Sequence, residues 1–179
     1  MLGETRTGQS QSENDGCFEQ LVSEILWLEG YWVRTSVKVE LTKEEKRLIG
    51  RHQSPRWELD IVAYSGGQNL LRVVECKSYF DSTGVRASAF DGSNSDHAER
   101  YKLFKDRVLR GVVFKRLRRQ LAASGACTKT PAIRLSLAAG KVRNEADRVA
   151  IRAHFRKHRW ELWDEPWLRE RLKRIAQQG

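Results

Sequence analysis

Cysteine is scarce in this 179-residue chain, with Cys17, Cys76 and Cys127 far apart and in no CxxC or Cys/His spacing. That excludes a disulfide-stapled scaffold and a zinc ribbon, and an odd, sparse count fits a reducing compartment. No run of 18 apolar residues occurs, so no membrane-spanning helix is expected. The opening "MLGETRTGQSQSENDG" lacks the apolar stretch of a signal peptide, which leads to the expectation of a cytoplasmic protein. Internal repeats and low-complexity tracts are missing too.

What is present describes a folded, basic protein. Hydrophobic residues make up 40% of the chain and six are tryptophan, which argues against disorder. The length suits one domain with a sizeable core. The net charge of +10 is unevenly placed: residues 1–90 carry −2 and residues 91–179 carry +12. A neutral front and a strongly basic back point to a polyanionic partner, nucleic acid first, although a basic helix can also be a solvated face.

Residues 1–14 read as a polar, flexible leader, and 15–179 as a single domain. A helix is expected from Asp15, a good N-cap, to Glu29, with Phe18, Leu21, Val22, Ile25 and Leu28 on one face. Strands follow at 31–41, 57–64 and 69–79, with a Thr42–Glu45 capping box after the first and Gly66-Gly67 turning a hairpin between the others. Residues 80–95 are a long polar loop of the kind that closes over a substrate or reads a groove. A basic helix spans 96–123, with Leu109, Val113, Leu117 and Leu121 at four-residue spacing and a break conceivable at Gly111. A strand at 132–140, a helix capped by Asn144, a short strand at "RWELW" and a last helix after Asp164 complete an α/β pattern. The expected architecture is a mixed central sheet flanked by helices, with a core over 15–140 and a basic helical extension over 141–179.

The stretch "VVECKSY" (73–79) places Glu75 and Lys77 in an otherwise buried strand. Charges there are costly unless paired or bound to something. A two-residue hairpin turn sets Glu58 opposite Glu75; a four-residue turn, "GGQN", sets Asp60 opposite Glu75. Either register leaves Asp60, Glu75 and Lys77 on one face, because the two differ by an even number of residues. Two carboxylates that close repel unless a cation lies between them, and Mg²⁺ commonly takes one or two carboxylates with phosphate and water.

Asp60, fourteen residues, then Glu75-Cys76-Lys77 resembles the D-x(n)-(D/E)-x-K signature of the restriction-endonuclease-like, or PD-(D/E)XK, nuclease superfamily. The αβββαβ order of 15–140 is similar to the core of that superfamily. The resemblance implies catalytic roles for Glu19, Asp60, Glu75 and Lys77. It implies Mg²⁺, with Mn²⁺ as a substitute, on Asp60, Glu75 and the backbone carbonyl of Cys76. Leu59 stands where many members have Pro, and His97 stands in the Gln position of the Q-x-x-x-Y motif that would end at Tyr101. The iron–sulfur cysteines of some members are missing.

The expected function is therefore a Mg²⁺-dependent nuclease, with DNA favoured over RNA and endonuclease action favoured. Arg100, Tyr101, Arg107, Lys115, Arg116, Arg118 and Arg119 are the expected nucleic-acid contacts, and Trp160, Trp163 and Trp167 are candidates for base stacking or for packing. Glu58 is a candidate to supplement Asp60. With no second DNA-reading domain evident, a homodimer or a targeting partner is expected. The alternative is a catalytically inactive nucleic-acid-binding module of the same fold.

Overall fold

Strands joined by tight turns pair antiparallel, whereas strands separated by a helix can pair parallel. Both occur here. The structure, a computed structural model, describes residues 6–50, 56–79, 82–91 and 100–178, with backbone alone for 6–14 and 178. The elements are α1 (Arg6–Leu28), β1 (Trp32–Val39), α2 (Lys43–Leu48), β2 (Trp57–Ser65), β3 (Leu70–Lys77), α3 (Lys102–Lys105), α4 (Arg107–Ala123), β4 (Ala132–Ala139), α5 (Glu145–His158), β5 (Glu161–Trp163) and α6 (Glu165–Gln178). The five strands make one open mixed sheet in the order β1-β2-β3-β4-β5. The first three alternate in direction, and β4 and β5 run parallel to β3.

Helices cover both faces, which is why β3 and β4 are apolar on both sides. On one face Leu71, Val73, Leu135 and Leu137 join the buried Leu109, Val113, Leu117 and Leu121 of α4 and Ile151 and Phe155 of α5. On the other, Ile61, Val74, Cys76 and Ala138 join Phe18, Val22, Ile25 and Leu26 of α1 and Leu168 of α6. The capping box at Thr42 and Glu45 forms, and Asn144 caps α5 through the Asp147 N–H. Among the described residues no helix is long and apolar enough to cross a membrane.

Four expectations are corrected. The first helix begins at Arg6 rather than Asp15, so residues 6–14 are helical and Asp15 is an interior position. A helix already nucleated by a packed segment extends through polar residues at little cost, since each added residue brings its own hydrogen bond. Leu28 is 53% exposed and Leu26 takes the buried place expected for it. The basic helix is interrupted at Asp106, not Gly111: Asp106 is extended, ends α3 and caps α4 by accepting from the Leu109 N–H.

The fourth concerns the polar loop, whose described part, 82–91, is tied down. Val85 bridges Val142 in parallel, Lys141 Nζ donates to the Ser82 carbonyl, and the Ala87 N–H donates to Asp147. Gly84 makes this approach possible: its φ is +87° and a Cβ there would lie 2.9 Å from the Lys141 carbonyl oxygen. Gly111 has open space around the position of its missing Cβ.

The two glycines therefore predict opposite outcomes. Gly84→Ala destabilises the protein by about 2–4 kcal/mol, through strain at positive φ plus a backbone clash. Gly111→Ala, inside an unbroken helix, stabilises it by about 0.5–1 kcal/mol. Urea unfolding midpoints of the two variants against the parent chain decide both.

Candidate active site

The β2–β3 hairpin closes with Ser65 opposite Leu70, which makes 66–69 a four-residue turn and resolves the open register. Continued by one step beyond the last pair, Ile61–Val74, that register sets Asp60 opposite Glu75. The ladder does not take the step. β2 stays paired to β1 as far as Trp57 and β3 stays paired to β4 as far as Lys77, but β2 and β3 part beyond Ile61 and Val74. Asp60 Oδ2 accepts the Cys76 N–H at 2.7 Å. A side chain thus takes a backbone donor at the mouth of the gap.

A second irregularity sits beside it. Ser36 of β1 has φ +49° and no partner in the ladder between Thr35–Ile61 and Val37–Leu59. Leu59 joins the α4-side core and Ile61 the α1-side core although they are two residues apart, so the alternation of β2 breaks across Asp60. Counting back from Val62, the pleat still assigns Asp60 to the face of Glu75, which continues the Leu71–Val73 row. Polar groups from both faces meet at this disturbed end of the sheet.

Burial and neighbouring charge set the protonation of the cluster. Burial, with the Asp60 carboxylate adding to it, pushes the Glu75 carboxyl up to about 8 against the opposing pull of the Lys77 ammonium. Burial does the same to Glu19 of α1, which rises to about 7 with Asp60, Asp15 and Glu58 adding and Lys77 opposing. Asp60 also rises through burial, restrained by Lys77 and by the Cys76 N–H. Burial alone would depress Lys77, but Asp60, Glu75 and further anionic neighbours hold its amine above the ordinary range. The Cys76 thiol is pushed well up by burial, which leaves it a neutral, apolar side chain of the α1-side core. Glu75 Oε2 is buried and has no hydrogen-bond partner among the described residues.

The four expected catalytic residues therefore lie in one electrostatic neighbourhood, with Asp60 and Lys77 acting on both Glu19 and Glu75. Glu58 belongs to its exposed rim. Sequence reasoning missed Asp15, whose Oδ1 accepts from both the N–H and the hydroxyl of the buried Ser78 and so anchors the backbone next to Lys77. Its signal was the four-residue spacing to Glu19, obscured by reading Asp15 as a cap. Tyr79 and Tyr101 were also missed as a pair: their hydroxyls are 3.2 Å apart at the Glu75 side of the gap.

The expected nucleic-acid contacts divide. Arg100, Arg107, Lys115 and Arg119 are exposed. Arg116 is bound to Glu45 of α2 through Nε and Nη2, both at 2.8 Å, and Arg118 is half-buried with its Nε lacking a partner among the described residues. Tyr101 is buried, 4.7 Å from the Phe90 ring, and offers no surface to a base. Trp163 and Trp167 stack on one another at 4.6 Å, while Trp160 packs edge-on against Phe104 and Phe155. His97 lies outside the described residues. No group of three or more His, Cys, Asp or Glu side chains spaced to hold a metal ion occurs among the described residues.

No family model, curated protein or solved structure matches the chain.

The protonation pattern predicts a pH-dependent stability. Glu19 and Glu75 hold protons in the folded chain that the unfolded chain releases above the ordinary value of 4.5, so their contribution to stability is complete below that pH and is lost as pH rises through about 7 and 8. Glu75→Gln, measured in EDTA, accordingly raises stability by about 1–2 kcal/mol at pH 8.5 and changes it little at pH 5. Equal destabilisation at both values would show that Glu75 is an ordinary structural ion-pair partner.

Proposed function

We propose that the chain is a divalent-metal-dependent phosphodiesterase of the restriction-endonuclease-like, PD-(D/E)XK type that cuts nucleic acid, DNA ahead of RNA. The observation that carries this reading is the gap between β2 and β3, where the two carboxyl-bearing residues Asp60 and Glu75 stand beside Lys77 and one buried carboxylate oxygen has no partner among the described residues. An α-β-β-β order followed by helices and a parallel β4 supports it further.

Asp60, Glu75 and the Cys76 carbonyl would hold the cation. The fit is chemical. An unpaired buried oxygen and two carboxyls that burial drives toward protonation are what an oxygen-seeking dication relieves by displacing the proton. Two carboxylates, a carbonyl and oxygens from phosphate and solvent make a sufficient set for Mg²⁺ without a third acidic side chain. A cation bound there supplies Lewis-acid stabilisation of the charge that grows on the phosphate oxygens. Lys77, kept protonated by Asp60 and Glu75, serves as a cation that orients the attacking water and neutralises the phosphate rather than as a base. Asp15 holds Ser78, and through it the backbone carrying Lys77. The exposed Arg107, Lys115 and Arg119 of α4 grip the backbone without reading bases.

A second reading, a nucleic-acid-binding module without catalysis, is favoured by one observation: no three-side-chain metal group is found among the described residues.

Plasmid, single-stranded DNA and RNA incubated with the protein in Mg²⁺, Mn²⁺ or EDTA separate the two. The nuclease reading expects cleavage in Mg²⁺ that falls by roughly 10²-fold or more in Asp60→Ala and Lys77→Ala. It also expects a Mg²⁺-dependent rise in melting temperature that Asp60→Ala abolishes. Retention of nucleic acid by all three proteins with neither cleavage nor a thermal shift would establish the binding module instead. In either case affinity falls with salt, and the triple variant Arg107→Ala, Lys115→Ala, Arg119→Ala flattens the log–log slope by about 3.

A further inference from the structure

A pocket of about 460 Å³ opens at the outer edge of the sheet, where β5 has no further strand beside it among the described residues. That volume falls within the roughly 300–1,000 Å³ typical of small-ligand sites. Its floor is apolar and spans both cores: Leu26 comes from the α1 side, and Phe155 and Leu162 from the α4 side. Four guanidinium groups surround this floor, against the carboxylates of Glu29 and Glu161, so the lining carries a positive excess. Arg72 is bonded to Glu161, Arg171 to Glu29 and Arg152 to the fully buried Asp164. Arg156 is exposed, and its side chain has no ion-pair partner among the described residues.

The aromatic wall is built as a ladder. Arg171 lies over the Trp167 ring at 4.9 Å, Trp167 stacks on Trp163 at 4.6 Å and 6°, and Arg72 lies over Trp163 at 5.6 Å. Packing explains the indoles and ion pairs hold Arg72, Arg152 and Arg171, but neither accounts for Arg156, which adds an exposed charge to the same open pocket. Guanidinium planes and indoles are the surfaces on which unpaired bases stack, and arginine forks are the groups that take phosphate oxygens.

We propose that this pocket binds one unpaired nucleotide, its base stacked on the Arg171–Trp167 end of the ladder and its phosphate taken by Arg156 and Arg152. Helix α1 links the pocket to the acidic cluster. It presents Glu19 at one and Leu26 at the other, seven residues apart, or about 10 Å at 1.5 Å per residue. Strand β3 likewise carries Arg72 at the pocket and Lys77 at the cluster, about 16 Å apart at 3.3 Å per residue, so the two sites are a few nucleotides apart at about 3.4 Å each. The pocket's affinity for a nucleotide stands by itself. Its meaning, selection of substrates with an unpaired nucleotide a few positions from the cut, rests on the nuclease reading above.

The test uses the whole protein in EDTA, with deoxyadenosine monophosphate titrated against intrinsic tryptophan fluorescence. Saturable quenching is expected, with affinity at least fivefold weaker in Arg156→Glu and in Arg171→Ala. Deoxyadenosine and inorganic phosphate, each half of the ligand, should bind at least tenfold more weakly than the nucleotide. Arg156→Glu changes an exposed side chain without an ion-pair partner among the described residues, so its circular dichroism should match the parent's. No saturable quenching, equal affinity for inorganic phosphate, tighter binding of an acidic peptide such as hexaglutamate, or unaltered affinity in folded Arg156→Glu each overturns the proposal. Nucleotide binding without Mg²⁺-dependent cleavage would remove the nuclease reading and leave the pocket standing. Cleavage without nucleotide binding would do the reverse.

Discussion

The parting of β2 from β3 is the constraint around which the rest of the molecule is arranged. Two adjacent antiparallel strands ordinarily continue their ladder, because an unpaired backbone N–H in a protected place is expensive. Here Asp60 Oδ2 supplies the acceptor for the Cys76 N–H, a charge-assisted bond that lets the strands separate without orphaning the donor. Both strands remain held on their outer sides, β2 by β1 and β3 by β4. The gap is therefore rigid-walled. Glu75 and Lys77 lie on β3 beside it, and Asp60 and Lys77 act electrostatically on Glu19 of α1.

Such a cluster works against stability, since burial of carboxyls and an amine costs more than their mutual attraction returns. The apolar core on each face of the sheet offsets that cost. The terminal helices are fastened by a different device. Asp164 is fully buried, bonded to Arg148 and Arg152 of α5, and it caps α6 through the Trp167 N–H. A buried carboxylate with two guanidinium partners and a backbone donor is satisfied; Glu75, whose Oε2 has no partner among the described residues, is not. The contrast separates structural charge from charge held ready for a ligand.

Much of this was legible in one dimension. The four-residue repeat of Leu109, Val113, Leu117 and Leu121 places α4 on the sheet, and all four are buried as that spacing requires. Thr42 and Asn144 mark helix starts that form as expected, because a cap is a contact between residues three apart. The anomaly of Glu75 and Lys77 in an apolar strand was equally visible, and it leads to Asp60 because a hairpin couples near neighbours. Asp15 was read as a helix cap, and its actual role was hidden because its partner, Ser78, is 63 positions away. Arg116 looked free for the same reason, its acceptor Glu45 being 71 residues distant. Tyr101 was open to two readings, nucleic-acid contact or core, and its burial against the ring of Phe90, eleven positions away, makes it core.

By itself, then, the order of residues determined the run of helices and strands, the apolar stripe of each, and the presence of charge where a strand should be dry. These are short-range properties, governed by periodicity and by groups within a few residues of one another. Only the folded chain decided the four-residue turn, the parting of β2 from β3 at Asp60 and Glu75, the break in alternation at Ser36 and Asp60, and the division of arginines into ion-paired and exposed. Those outcomes depend on which distant segments come to share one space, and on how a limited number of acceptors is divided among the cations that reach them.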